Sequence, residues 1–363
     1  MNKVRFGIVG VGVMGQGHAQ SFFDEKVTDG VLTAVYDIDP AKTESFKAKD
    51  IKVFDSATDM FKSGEIDAVI VATPHYFHPP LAMEALSHNI HVMIEKPAGV
   101  YTKQVREMNE AAAKVDKVFA IMFQQRTNSD FQKMREMVQN GDLGEIKRTN
   151  WLITDWYRPQ AYYNTGGWRA TWKGEGGGVL LNQCPHNLDL WQWICGMPNK
   201  VTAFCHEGKW HDIEVEDDVT AYVEYSNGAT GVFVTSTADA PGTNRFEILG
   251  DKGKLVYEKG VLEFYRLDQS EREFNKENKI MFASPKATPE IIKTDGAYPA
   301  HPGTLSAFVD KIFGRGELTA EGEEGINGLT LSNAMHLSAW LGKTITLPFD
   351  EELFLTELRK KFR

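Results

Sequence analysis

The sequence predicts a doubly wound α/β domain followed by an α+β domain built on a large, mostly antiparallel open sheet. Three observations predict it. The 363 residues exceed the roughly 250–300 at which one hydrophobic core stops growing. Residues 1–125 alternate short Val/Ile-rich runs with helical patterns, as in a parallel sheet covered on both faces. From about residue 145, strand-like runs follow one another directly, separated by tight turns at Asn227-Gly228 and Asp251-Lys252-Gly253. The cut is placed at 125, giving domains 1–125 and 126–363.

In the first domain, nearly continuous apolar runs predict strands at Val4–Val9, Leu32–Tyr36, Lys52–Phe54, Ala68–Val71, His91–Ile94 and Val118–Phe123. Helical spacing between them predicts helices at Gly15–Phe23, Ala41–Lys49, Thr58–Lys62, Pro79–Ser87 and Lys103–Lys114. In the second domain, strands are expected at Ile146–Thr154, Lys200–His206, Thr220–Tyr225, Thr230–Thr235, Arg245–Leu249, Leu255–Glu258 and Leu262–Tyr265. His186–Ile194, Gly325–Leu341 and Glu351–Lys361 read as helices. Asp268–Gly296 is polar and weakly periodic, and reads as a long loop or arm.

Composition narrows the function. Forty Lys+Arg against 50 Asp+Glu leave a net charge of −10, which argues against a partner that is a nucleic acid polymer or an anionic membrane. No apolar run reaches the ~20 residues of a membrane helix. Cys184, Cys195 and Cys205 match no metal-binding spacing and suggest a reducing compartment, so no metal is expected and the protein reads as cytoplasmic. Cys184 reads as packing.

Gly10-Val11-Gly12-Val13-Met14-Gly15 follows a strand and opens a helix. In such a loop the first glycine makes the turn, the second admits a pyrophosphate and the third packs helix on strand. The N–H groups at the start of the helix, around Val13 and Met14, would face the phosphates. Asp37 ends the second strand, where its carboxylate would accept from the adenosine ribose and repel the 2′-phosphate of NADP; NAD is therefore favoured. Asp39 reads instead as the N-cap before Pro40. Thr73-Pro74-His75 and Glu95-Lys96-Pro97 end the fourth and fifth strands, on the side where ligands bind such sheets. His78 opens a helix and reads first as structural, though its place keeps it among the cofactor-site candidates.

Taken in order, GVGVMG, VATPHYFH, Glu95-Lys96-Pro97, Gln124-Gln125-Arg126, Gly141–Ile146, Gly176-Gly177-Gly178 with His186, Gly250–Gly253 and Gly325–Leu341 resemble the Gfo/Idh/MocA oxidoreductases over nearly the whole chain. The resemblance implies a Rossmann domain, a catalytic lysine at Lys96, Gln124 beside the cofactor, and a homodimer or homotetramer formed through the open sheet face. Many such proteins carry an Asp and a His four apart on a helix facing the nicotinamide. Here the His is His186, but the Asp position holds Asn182, which cannot transfer a proton. His186 is then the expected base, with Asp189 one turn on as a possible orienting group.

The residues themselves point the same way. The glycine run lets backbone approach closely, and a helix carrying Asn182 and His186 at i and i+4 would set both on one face. Six of the eight tryptophans lie in 151–193. With Tyr157, Tyr162, Tyr163 and Trp168 interleaved with Arg158 and Arg169, they suit a sugar, whose C–H face lies on aromatic rings while polar groups take its hydroxyls. At least one of Trp191 and Trp193 is expected in the core. His301 is a further candidate for the substrate pocket. The expected activity is hydride transfer between the nicotinamide and a ring hydroxyl carbon of a sugar, sugar derivative or cyclitol. An NAD-dependent glycosidase using transient oxidation, and a non-catalytic dinucleotide sensor, remain as alternatives.

Overall fold

A computed structural model describes residues 3–363. They form two compact units. Among the described residues, the first comprises 3–128 and 298–330, and the second 129–297 and 331–363. A single cut at 125 therefore misses a return of the chain. The cause lies in the helix Ala300–Ile312. Its buried Leu305, Phe308 and Val309 join the core built on Phe6, Ile8 and Phe22, and Phe308 lies 6.1 Å from the Phe6 ring. Their spacing of three and four is the apolar stripe of a helix that belongs to a core.

The first unit holds a parallel six-stranded sheet. Its strands are β1 (Val4–Val9), β2 (Gly30–Tyr36), β3 (Lys52–Val53), β4 (Ala68–Val71), β5 (His91–Ile94) and β6 (Phe119–Ile121). Their order is β3-β2-β1-β4-β5-β6. All four residues of β4 are buried, as expected when helices cover both faces. The strand order reverses between β1 and β4, and that switch point is where such sheets bind nucleotides.

The second unit holds a nine-stranded sheet: β7 (Ile146–Ile153), β8 (Lys200–Glu207), β9 (Glu216–Glu224), β10 (Thr230–Ser236), β11 (Asn244–Gly250), β12 (Gly253–Glu258), β13 (Val261–Leu267), β14 (Ala287–Ile292) and β15 (Ile345–Thr346). Its pairings are antiparallel except β7 with β10. Residues 268–296, read as a loop, contain the helix Glu271–Glu277 and β14. β14 buries little, so edge pairing with β13 shapes it rather than any apolar pattern. In the core, Trp151 stacks on Phe246 at 4.2 Å and Trp191 on Phe233 at 5.3 Å.

Candidate active site

In the first unit the glycine loop has the shape that its spacing predicts. Gly10 has φ +91°, in the left-handed region, and a Cβ there would strike the Ala72 carbonyl. A Cβ on Gly15 would collide with the Gly10 carbonyl, so this glycine sets how closely the helix Val13–Phe23 meets β1. A Cβ on Gly12 would meet nothing within 4 Å. No side chain caps the helix at Gly12, and Val13 and Met14 are exposed beside it. Open space in front of uncapped N–H groups fits a pyrophosphate.

Asp37, at the end of β2, ties this loop down. Its Oδ2 accepts from Val11 N at 2.9 Å and its Oδ1 from Asp39 N at 2.9 Å. Lys42 Nζ lies 3.6 Å from Asp37 Oδ1, a neighbour that the motif did not reveal. Asp39 caps the following turn by accepting from Ala41 N.

At the ends of β4 and β5 the candidates separate. Thr73 and Pro74 are half-buried and His75 is buried. His78 is buried with Nδ1 2.8 Å from Pro97 O and Nε2 2.7 Å from Thr73 O. Each ring nitrogen lies within hydrogen-bond distance of a main-chain carbonyl, so His78, with one N–H to donate in its neutral form, is lodged between the loop after β4 and the loop after β5. Burial pushes its pKa down. Lys96 is half-buried on the braced loop, and the Lys96–Pro97 peptide is cis. Gln124 is buried, and its carbonyl accepts from Thr127 Oγ1 at 2.8 Å.

Glu95 is buried beneath this loop. Its Oε1 lies 2.7 Å from His18 Nε2, and its Oε2 accepts from Lys96 N at 3.1 Å. Burial alone would raise the Glu95 pKa; the His18 bond and the charges of His18, Lys96 and His301 outweigh it and bring it down to about 2. His18 was not singled out in the sequence. The signal was available, because it stands on the inward face of its helix next to buried Ala19 and Phe22. His301, expected in a substrate pocket of the second domain, belongs to the first unit, with its ring edge-on to His18 at 5.6 Å.

In the second unit the glycine run is also fixed by a carboxylate. Glu216, on β9, accepts from Gly178 N at 2.9 Å and from Leu180 N at 3.0 Å. A Cβ on Gly178 would collide with the Glu216 carbonyl. His336 Nε2 lies 3.1 Å from Glu216 Oε2. The helix that follows is Pro185–Cys195, so Asn182 lies in the preceding turn rather than on the helix. Pro185 explains this, since proline suits the first helical position and disfavours helix in the residue before it. His186 is the second residue of the helix and is buried. Asp189 accepts from Gln192 Nε2.

Asn182 is joined to two groups from the preceding segment, and Arg169 touches both of them. Its Nδ2 donates to Glu175 Oε1, and its Oδ1 accepts from Tyr162 Oη at 3.4 Å. Arg169 Nη1 donates to Tyr162 Oη at 2.7 Å and lies 3.6 Å from Glu175 Oε1. The guanidinium sits 4.6 Å from the Tyr162 ring centroid and 4.8 Å from that of Trp168. Glu175, like His18 and Glu216, is not singled out by the sequence motifs. Burial pushes its carboxyl up, against the pull of Ala170 N–H, Asn182 and Arg169.

The aromatic group is smaller than the count suggested. Trp151, Trp172 and Trp191 are fully buried core residues. Tyr163 is buried too, donates to Thr237 Oγ1 at 2.8 Å, and has its hydroxyl pushed up to about 12 by burial. Trp193 is partly exposed beneath Arg135. Tyr157 is exposed, and Trp156 and Trp168 are half-buried. Between residues 156 and 168, Trp156, Tyr157, Tyr162 and Trp168 are the rings that keep exposed surface.

Residues 4–123 match the model of an oxidoreductase family with an NAD-binding Rossmann fold, and residues 131–256 match the GFO/IDH/MocA C-terminal domain. The chain belongs to the GFO/IDH/MocA oxidoreductase family. The family's cofactor is a nicotinamide dinucleotide, which the glycine loop fits. Among its GFO/IDH/MocA relatives, D-glucoside 3-dehydrogenase of Escherichia coli is 27% identical over 95% of this chain and 98% of its own. Myo-inositol 2-dehydrogenase of Thermotoga maritima is 25% identical over 69% of this chain and 74% of its own. The solved WlbA dehydrogenase of Chromobacterium violaceum, in complex with NADH and UDP-GlcNAcA, superposes with a TM-score of 0.83 at 29% identity, covering 96% of this chain and 97% of that one.

Proposed function

We propose that this oxidoreductase is an NAD-dependent dehydrogenase that oxidises a ring hydroxyl of a sugar, sugar derivative or cyclitol. The observation that carries the reading is the Asn182–Tyr162–Arg169 cluster, whose half-buried donors and acceptors lie beside Trp168. Such a surface suits a ring that is apolar on its face and hydroxylated at its edge. Two relatives support the same class, being named for a glucoside and for myo-inositol.

Gly10, Gly12, Val13, Met14, Gly15 and Asp37 would hold the dinucleotide, with Thr73, His75 and Gln124 near the nicotinamide end. The bound nicotinamide supplies the hydride acceptor. His186 takes the proton of the reacting hydroxyl as general base. Lys96 is the lysine that would steady negative charge growing on a reacting oxygen. His78 and Glu95 keep the lysine loop in place. Asn182 and Arg169 orient the ring and Tyr157 and Trp168 cover it, while Tyr163 supports them from below. The Asp37 carboxylate, beside which Lys42 stands 3.6 Å away, disfavours the 2′-phosphate of NADP.

The test is a panel of pyranosides, free sugars and cyclitols with NAD or NADP, followed at 340 nm with product analysis. Reduction of NAD by at least one ring alcohol supports the reading. NADP reduced as well as NAD contradicts the cofactor preference, and glycoside cleavage without net NADH contradicts a dehydrogenase.

A further inference from the structure

We infer that Glu175 is a positioning residue for substrate: it fixes the side-chain amide of Asn182 and, through it, the hydroxyl of Tyr162. The inference rests on the reading that Asn182 and Tyr162 face the sugar.

An ionised carboxylate only accepts. Glu175 is buried, takes Ala170 N–H on Oε2 at 2.6 Å and takes the Asn182 amide on Oε1. The NH2 end of Asn182 must therefore face Glu175, and the Oδ1 end faces Tyr162 at 3.4 Å. Tyr162 Oη receives Arg169 Nη1 at 2.7 Å and Gln183 Nε2 at 3.4 Å, both donors. Its single hydrogen is left for an acceptor. Asn182 Oδ1 holds it only through a long bond, so a sugar oxygen displaces it at small cost. Glu175 thereby makes Asn182 an acceptor and Tyr162 a donor toward the ligand.

This arrangement changes what an acid at 182 would do. In this chain the carboxylate stands behind position 182 rather than at it. An Asp there would oppose Glu175 across a buried contact. Among the charged and titratable groups that act on Glu175 are Arg169, at 3.6 Å, Glu216 and Tyr163. One carboxyl of the new pair would have to hold a proton. Exchanging the two residues, with Gln at 175 and Asp at 182, restores one donor against one acceptor.

The experiment measures kcat and KM from about pH 5 to 9 for the wild type, E175Q, N182D, the E175Q/N182D double variant and Y162F. NADH affinity and melting temperature are measured in parallel. E175Q is expected to raise KM for the sugar about tenfold with NADH affinity unchanged, because two amide NH2 groups then face each other. N182D is expected to lose about 100-fold in kcat/KM at neutral pH and to regain part of it on acidification, as the pair takes up its proton. The double variant is expected to recover most of the loss. Y162F is expected to raise KM like E175Q. An N182D variant as active as wild type at neutral pH overturns the inference. So does a folded double variant no better than the worse single one. Either result with normal wild-type turnover strikes the inference alone; a wild type that turns over no sugar strikes the proposed function and the inference together.

Discussion

Two glycine turns in this chain solve the same problem by different means. The first, Gly10–Gly15, is held by Asp37 through Val11 N. The second, Gly176–Gly178, is held by Glu216 through Gly178 N and Leu180 N. In each, a carboxylate on another strand pins backbone that must stay open to a ligand, and a Cβ at Gly15 or Gly178 would collide with a carbonyl. They differ in what the backbone then does. The first turn leaves its own N–H groups for phosphate, so its recognition is written into local spacing. The second gives its N–H groups to Glu216, and under the proposed function recognition would pass to the side chains gathered at Tyr162, Arg169, Glu175 and Asn182. A site made of backbone leaves a motif; a site made of side chains leaves composition.

That contrast can be broken or sharpened by substitution. The largest effects are expected at Lys96 and His186: Lys96→Ala and His186→Ala should each slow single-turnover hydride transfer ~10²–10⁴-fold, as when an acid–base or charge-stabilising group is lost. Near-normal transient rates in both would remove them from the chemistry. Next come the glycines. Gly15→Ala should abolish NADH binding, whereas Gly178→Ala should leave it intact and abolish sugar turnover. Isothermal titration with NADH and a 340 nm assay separate the two, and loss of NADH binding in Gly178→Ala would erase the distinction. Glu216→Gln turns an NH2 toward one of the two N–H donors, with an expected cost of about 1–3 kcal/mol, read as a lower melting temperature.

The smallest expected effect is a pH slope. The Glu95 pKa falls from 4.5 to about 2 on folding. A depressed carboxyl contributes stability that is complete above the unfolded value and is lost as pH falls through the folded one. Melting temperature should therefore drop between about pH 5 and 2 by more in the wild type than in Glu95→Gln. Parallel curves would show that the His18–Glu95 contact carries no such linkage.

The fold class was legible because hydrophobic period and turn chemistry are local. β1, β4 and β5 begin and end where the apolar runs do. The helix Ala300–Ile312 was hidden because its stripe pays off only against a sheet almost 300 residues earlier in the chain, although Leu305, Phe308 and Val309 carry the signal. In the candidate site, Asp37 stands at a fixed distance from its glycines, and that spacing makes it legible as a candidate. Glu216 and His18 contact their partners across 38 and 77 residues, with no spacing to betray them. Tryptophan count overstated the substrate surface, because half of the six in 151–193 fill the core. Pro185 places Asn182 off the helix, which turned an expected helical face into a turn tied to Glu175.

The central claim, that this chain transfers hydride from a sugar ring carbon to NAD, is tested most directly by stopped-flow absorbance at 340 nm on NAD-loaded protein. It would be mixed with the pyranoside and cyclitol panel, each active compound being repeated with deuterium on the reacting carbon. The predicted result is a rise at 340 nm with at least one ring alcohol, slowed by the deuterium and absent in Lys96→Ala. Tight NAD binding with no rise for any member of the panel would contradict it.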